Sequence, residues 1–468
     1  MSDKAAKARD RFGKFGFVLA AAGSAIGLGN IWKFPYIAYE NEGGSFVLVY
    51  LLAILLIGAP IMLAEVVLGR RTEQSPVGAF LSLAKSAGTS KGWSWIGWLG
   101  VVAGFTILSY YAVIAGWTAY YFVKCVGWSI SGFTPQVSES LAPEFVEFLG
   151  NGWMQAGLQG FFLAVTVGVV VMGVKGGIER TTRTLMPVLF AVLVILAIAS
   201  SRTAGFSEAV SFLFHIGPIS ADGALEAIGH AFFTLSLGMG AMITYGSYVS
   251  RRDSLPRAAG TICILDTVIA LLASLIMFSI IFTVPEAARE ATFTSRSATI
   301  LFTTLPRMFY ELPGGGVLSP VFYLLVSFAA LTSTISLLEV IVSYFIDVKG
   351  WARRKATLFV GALTFLFGVP SALSLGASSF FSGLNLKGNG GFLSIVDYLA
   401  SNWFLPLGGL GIALFTGWWL STKISREEIE EGHGSFSLYG VWIFLLRFVR
   451  PLAIGWIIWA VLGGRSFA

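Results

Sequence analysis

The chain has 468 residues, of which 56% are hydrophobic and 12% charged, with a formal net charge of +6, and its mean hydropathy is +0.78. This composition excludes a soluble globular domain and predicts an all-α polytopic membrane protein. The surplus Lys and Arg fall in short loops between apolar segments, so positive-inside topology accounts for them without a nucleic-acid partner.

Residues 1–12 are polar and precede an apolar run too long for a signal-peptide core, so they read as a retained cytoplasmic tail. Apolar runs then predict about eleven spans, near 13–38, 44–69, 96–124, 157–174, 184–201, 224–249, 258–284, 317–346, 355–375, 392–420 and 439–462. Loops on the side of the N-terminus are basic: Arg70, Arg71, Lys85 and Lys91, then Lys175, Arg180 and Arg183, then Arg251, Arg252 and Arg257, then Lys349, Arg353, Arg354 and Lys355. The opposite loops are poorer in Lys and Arg, and 138–147 is acidic. The N-terminus is therefore expected inside and the C-terminus outside. Trp93, Trp95 and Trp98 read as an interfacial belt.

The first span is not an ordinary anchor. Gly23-Ser24-Ala25-Ile26-Gly27-Leu28-Gly29-Asn30-Ile31-Trp32-Lys33-Phe34-Pro35 places three glycines, an Asn and a Lys within an apolar run. Glycine weakens a helix, and Asn and Lys are costly in hydrocarbon. A Gly-rich helix packed closely on its neighbours is the plain alternative. The stronger reading is a helix that unwinds midway, which is tolerated only where backbone is buried in protein or lines a polar cavity. Its freed carbonyls suit a cation and its second N-terminus suits an anion. Five spans later, Phe232-Phe233-Thr234-Leu235-Ser236-Leu237-Gly238-Met239-Gly240 interrupts the sixth span in the same way. Paired interruptions predict a five-plus-five inverted repeat, 13–205 and 206–420, with 421–468 forming a loop and an eleventh span.

These segments, with Glu40-Asn41-Glu42-Gly43-Gly44 and Ala329-Ala330-Leu331-Thr332-Ser333, resemble the neurotransmitter:sodium symporter family, particularly its bacterial LeuT-like branch. The match covers essentially the whole chain. It implies the LeuT-like fold with helices 1 and 6 broken, sodium-coupled symport and a bacterial cytoplasmic (inner) membrane location. Two sodium ions are implied, with no organic cofactor. One site would use the carbonyls of Gly23, Ile26 and Ala329 with the hydroxyls of Thr332 and Ser333, although back-bonding to their own helix is the ordinary fate of such hydroxyls. The other would use the Ala25 carbonyl, Asn30, Thr234 and, where the best-known bacterial pattern has Asn, Asp266. An aspartate in an apolar span needs a partner, and sodium is a suitable one. Its fixed charge could replace the chloride of animal relatives, so chloride is expected to be dispensable. Tyr50, His230 and Ser236 fall near the family's halide position, where His230 reads more simply as a hydrogen-bonded core histidine.

By the same resemblance, N–H groups near Leu28 and Gly29 and the Tyr111 hydroxyl would hold a carboxylate. The carbonyls of Ala25, Phe233 and Thr234 with the Ser236 hydroxyl would hold an ammonium group, and Ser333 is shared between pocket and sodium. Ile107, Phe233, Met239 and Leu337 would surround the side chain, although core packing alone would explain Met239 and Leu337. Gly27 stands where monoamine-carrying relatives have aspartate, which favours a zwitterion, a neutral amino acid, as substrate. Lys33 and Asp397 match an external ionic gate, Tyr111 and Phe233 an aromatic lid, and Asp347 an internal gate paired with Arg9 or Arg11. The rivals are a symporter of taurine, a betaine or GABA, and an amino-acid sensor that does not transport. No nucleophile–base pair, metal motif or phosphate loop suggests an enzyme.

Overall fold

The structure, a computed structural model, describes residues 11–13, 15–285, 289 and 300–465. Among these, nine helices are long and apolar enough to cross a bilayer: Gly44–Thr72, Lys91–Ser131, Gly152–Val171, Val174–Ser200, Leu255–Ile281, Gly315–Asp347, Arg353–Leu373, Phe392–Trp419 and Tyr439–Leu462. Gly16–Ala25 and Gly29–Glu40 form a further span bent by 50°. Ala221–Thr234 and Ala241–Gly246, separated by Leu235–Gly240, complete the eleven. Below they are spans one to eleven in chain order, span one being the bent pair and span six the separated pair. The chain is an all-α polytopic membrane protein with both expected breaks present.

Burial separates the spans into two layers. In its most apolar stretch span three is 78% buried, whereas span five is 28% buried. Spans three and eight make the most extensive helix pairing, and the first half of span one packs on spans five, seven and eight. Close approach depends on absent side chains. A Cβ on Gly69 of span two would lie 2.0 Å from the Ile243 carbonyl, and one on Gly246 would lie 2.8 Å from the Val66 carbonyl. The second half of span six is thereby seated directly on span two.

Two groups of buried charges are paired, whereas Arg450, fully buried, donates only to the Ile57 carbonyl among the described residues, at 2.6 Å. Arg70 and Glu428, both fully buried, meet at 2.6 Å. Arg353 grips Glu339 through two bonds of 2.7 and 2.9 Å, and Tyr248 donates to the same carboxylate at 2.6 Å. These groups share one end of the bundle with Arg11, Arg180 and Arg251, called here the basic face.

One sequence expectation changes. The acidic stretch 138–147 belongs to a helix, Pro135–Gly150, started by Pro135 and by the Thr134 hydroxyl, which accepts from the Val137 N–H. Hydropathy reports only spans and passes over such a helix. Trp95 and Trp98 are exposed, whereas Trp93 is half-buried, its ring packed on Trp419 at 4.6 Å and on Phe415 at 5.5 Å.

Candidate functional site

Span one loses its hydrogen-bond ladder at Ile26, which is extended (φ −79°, ψ 97°) while its N–H still reaches the Ala22 carbonyl. Side chains satisfy the next two donors. The Gly27 N–H donates to Asn30 Oδ1 at 3.1 Å, and the Leu28 N–H donates to the Tyr111 hydroxyl at 3.1 Å. Gly27 is closely faced by side chains, since a Cβ there would lie 2.7 Å from Ser333 Oγ and 3.1 Å from the Tyr111 hydroxyl.

Span six breaks differently. Ser236, Gly238 and Gly240 all take positive φ, at 54°, 81° and 75°. The Gly238 N–H donates to Glu65 Oε1 at 2.8 Å, and Glu65 is fully buried in span two. The two breaks touch, because the Ser236 hydroxyl donates to the Ser24 carbonyl at 2.9 Å, and the Ser24 hydroxyl donates to Ser336 Oγ at 2.8 Å.

Asp266 of span seven joins them. Its Oδ1 accepts from Asn30 Nδ2 at 2.7 Å and from the Thr234 hydroxyl at 2.9 Å, and its Oδ2 accepts from the Tyr50 hydroxyl at 2.9 Å. Every side chain named for the first sodium position therefore meets at one carboxylate, and Ala25 shares a cavity wall with Asn30 and Thr234. For the second position, Gly23 lies against span eight, where a Cβ would be 3.1 Å from Thr332 Cβ. The hydroxyls of Thr332 and Ser333 turn back to the Ala329 carbonyl at 3.0 and 3.2 Å, and Ile26 is fully buried next to this contact.

A small cavity of about 30 Å³ sits between the breaks. Ala25, Gly29, Ile107, Tyr111, Phe233, Thr234, Ser236, Met239, Ser333 and Leu337 line it, as do Ser24, Gly27, Asn30 and Ser336. No charged side chain is among them. Leu28 lies instead on the wall of a larger vestibule of about 280 Å³, which shares Gly29, Tyr111 and Phe233 with the cavity below. Tyr111 and Phe233 thus stand between the two spaces. Since 30 Å³ holds a water or two, a larger occupant requires this partition to move.

Lys33 and Asp397 line the same vestibule. Asp397 accepts from the Tyr110 hydroxyl at 2.6 Å and from Ser401 at 3.1 Å, while Lys33 Nζ lies 5.0 Å over the Phe233 ring. At the basic face, Arg11 does not reach Asp347. It pairs with Glu73 at 2.7 Å, because Glu73 caps the end of span two in the left-handed conformation directly beneath it. Asp347 accepts from the Ser75 N–H at 2.6 Å, and Arg9 lies outside the described residues. Phe12 seals this end, its ring edge-on to Tyr245 and Tyr248 at 5.7 and 5.9 Å.

His230 is buried without a hydrogen-bond partner among the described residues, contrary to the hydrogen-bonded reading. Its neighbours explain this. Phe34 and Tyr50 pack on the ring at 5.4 and 5.9 Å, and the Tyr50 hydroxyl is directed to Asp266. Ser236 points to Ser24 rather than to His230. Sequence reasoning missed Glu65, Ser24 and Ser336. Glu65 did carry a signal, as an acid inside the apolar run of span two, whereas a serine pair leaves none.

The chain matches the model of the sodium:neurotransmitter symporter family over residues 9–134 and 145–456. It is 38% identical over 461 residues to the sodium-dependent transporter YhdH of Bacillus subtilis (strain 168), covering 97% of this chain and 98% of that one. A sodium-dependent transporter of Haemophilus influenzae (strain ATCC 51907 / DSM 11121 / KW20 / Rd) is 31% identical over 448 residues, covering 94% of each. Among solved structures, the crystal structure of MhsT in complex with L-phenylalanine matches with a TM-score of 0.86 and 39% identity, over 97% of this chain and 99% of that one.

Proposed function

The chain belongs to the sodium:neurotransmitter symporter family and has its LeuT-like fold, and from that premise we propose that it imports neutral amino acids with sodium by alternating access, without requiring chloride. The observation that carries the substrate class is the uncharged cavity at two helix breaks. A buried pocket with no compensating charge favours a ligand that brings equal and opposite charges of its own. The main chain around Leu28 and Gly29, with the Tyr111 hydroxyl, offers donors to a carboxylate, and the carbonyls of Ala25, Phe233 and Thr234 with Ser236 offer acceptors to an ammonium. Ile107, Phe233, Met239 and Leu337 enclose an apolar side chain. The L-phenylalanine named in the MhsT structure agrees with this polarity.

Two sodium ions ride with the substrate. The first sits among the Ala25 carbonyl, Asn30, Thr234 and Asp266, where it replaces donated hydrogens and touches the substrate carboxylate. The second takes the carbonyls of Gly23, Ile26 and Ala329 with Thr332 and Ser333, and so ties span one to span eight. Each ion crossing a ~100 mV potential releases about 2.3 kcal/mol. Two ions can therefore concentrate a neutral solute by about three orders of magnitude. The Asp266 carboxylate supplies the fixed negative charge that makes chloride dispensable. The basic face, with the N-terminal tail, is cytoplasmic, the C-terminus is external, and Tyr111 with Phe233 forms the lid beneath the outer vestibule.

The test is a sodium-gradient uptake screen of the common amino acids, taurine, betaine and GABA in proteoliposomes. Accumulation of aliphatic or aromatic amino acids supports the reading. Sodium-dependent binding without accumulation would make the chain a sensor, and preference for taurine, betaine or GABA would overturn the substrate class. Loss of uptake when gluconate replaces chloride would overturn the chloride clause.

A further inference from the structure

Spans four and five are joined by a tight turn at the basic face. Gly173 takes φ 88°, and a Cβ on Gly177 would lie 1.9 Å from the Val169 carbonyl. This turn presents Lys175, Arg180 and Arg183 outward, all exposed. They line a cleft of about 550 Å³ with Gly13, Glu179 and Thr184. The single carboxylate on its wall among the described residues is already engaged, since Glu179 Oε2 accepts from the Gly13 N–H at 3.0 Å and Oε1 faces Arg183 at 3.3 Å. Lys175 and Arg180 have no carboxylate within ion-pair distance among the described residues, so the cleft keeps a net positive charge.

A second groove of about 350 Å³ continues from the first, sharing Arg180 and Thr184 and adding Met172, Gly176, Thr181 and Leu185. Met172, in the turn before span five, is 59% exposed, and beyond the groove Val188 of span five is 41% exposed. A cationic cleft running into a groove that carries Met172 and Leu185 and leads to the apolar outer face of span five has the polarity of an anionic phospholipid, with its headgroup at the basic end and its chain toward the apolar end.

We propose that this cleft binds the phosphate headgroup of an anionic phospholipid from the cytoplasmic leaflet, with an acyl chain in the adjoining groove. The bound headgroup braces the turn that holds the start of span one. Glu179 grips Gly13, and a Cβ on Gly16 would stand 2.5 Å from Glu179 Oε1, so turn and N-terminal segment move together. Lipid occupancy therefore favours the arrangement in which Phe12 seals the basic face.

The test is native mass spectrometry of the full chain incubated with phosphatidylglycerol or phosphatidylcholine. Phosphatidylglycerol is expected to be retained in preference. The double variant Lys175→Gln, Arg180→Gln is expected to lose about thirtyfold in that retention, at about fivefold per basic residue near an anionic headgroup. Lys175→Arg with Arg180→Lys should restore it, and Arg252→Gln with Arg257→Gln, equally basic and exposed on the same face, should leave it unchanged. Equal retention by the Lys175/Arg180 glutamine variant and wild type would overturn the site, as would equal loss from the Arg252/Arg257 variant. Displacement of the lipid by inorganic phosphate at comparable concentration would overturn the lipid assignment in favour of a free-phosphate site.

Discussion

The two broken spans solve one problem with different materials. In span one the stranded N–H groups of Gly27 and Leu28 bond to Asn30 and Tyr111, side chains that line the cavity and that the proposed cargo would also use. In span six the Gly238 N–H bonds to Glu65, which lines neither cavity nor vestibule. Its backbone is also wedged against span ten, since a Cβ on Gly408 would lie 2.2 Å from the Gly238 carbonyl. Span one is therefore held by exchangeable bonds and span six by permanent ones. A transporter needs both, because a site that rearranges with its cargo requires a fixed wall to rearrange against.

The largest expected effect separates the two breaks directly. Gly238→Ala would set a Cβ 2.3 Å from the Leu405 carbonyl, a backbone atom, at φ 81°. The left-handed conformation alone costs roughly 1–2 kcal/mol for an L-residue, and the clash adds to it. The variant should yield no monodisperse peak on size exclusion after extraction. Gly27→Ala meets the Ser333 hydroxyl at 2.7 Å, which can rotate away. It should extract normally and bind substrate about tenfold more weakly. The reverse outcome, a sound Gly238→Ala and a misfolded Gly27→Ala, would invert the comparison.

Asp266→Asn comes next. It replaces a carboxylate that accepts three hydrogen bonds. Bonds to a charged group are worth about 1.5–3 kcal/mol, so the sodium concentration for half-maximal uptake should rise about tenfold to hundredfold. Reduced uptake at an unchanged sodium half-saturation would remove Asp266 from the ion path.

Much of this site was legible in the sequence, for a reason the two breaks share. Glycine and Asn inside apolar runs are costly, so Gly23, Gly27, Asn30 and Gly238 announce themselves, whereas Asp266 comes from the family resemblance. Partnerships among ordinary residues do not. The Ser24–Ser336 bond joins positions 312 residues apart and depends wholly on how spans one and eight pack. Arg11 had several carboxylates within reach of the basic face, and only the left-handed end of span two puts Glu73 beneath it. Glu65 was readable as an oddity but not as the partner of Gly238, because its acceptor role appears only once span six has turned through three positive φ angles.

Tyr111→Phe tests the exchangeable side at smaller scale. It strands the Leu28 N–H, and one neutral hydrogen bond is worth about 0.5–1.5 kcal/mol. Substrate affinity should fall about twofold to tenfold, with stability lowered by no more than about 1–3 kcal/mol, the cost of one stranded donor, as measured by substrate binding and by size exclusion after heating. A large drop in stability would mean that Tyr111 is part of the permanent frame.

Lys33→Gln should have the smallest effect. Asp397 is already held by Tyr110 and Ser401, so loss of the ammonium leaves the carboxylate satisfied. Against the lid, Lys33 places its ammonium 5.0 Å over the Phe233 ring, a contact worth about 0.5–1 kcal/mol where water has access. The KM for uptake should rise about threefold, and less at high salt as screening weakens the charge. If Lys33→Gln instead abolished uptake at every ionic strength, the vestibule would be as rigidly committed as span six, and the division between exchangeable and permanent contacts would have to be drawn deeper, at the level of the cavity itself.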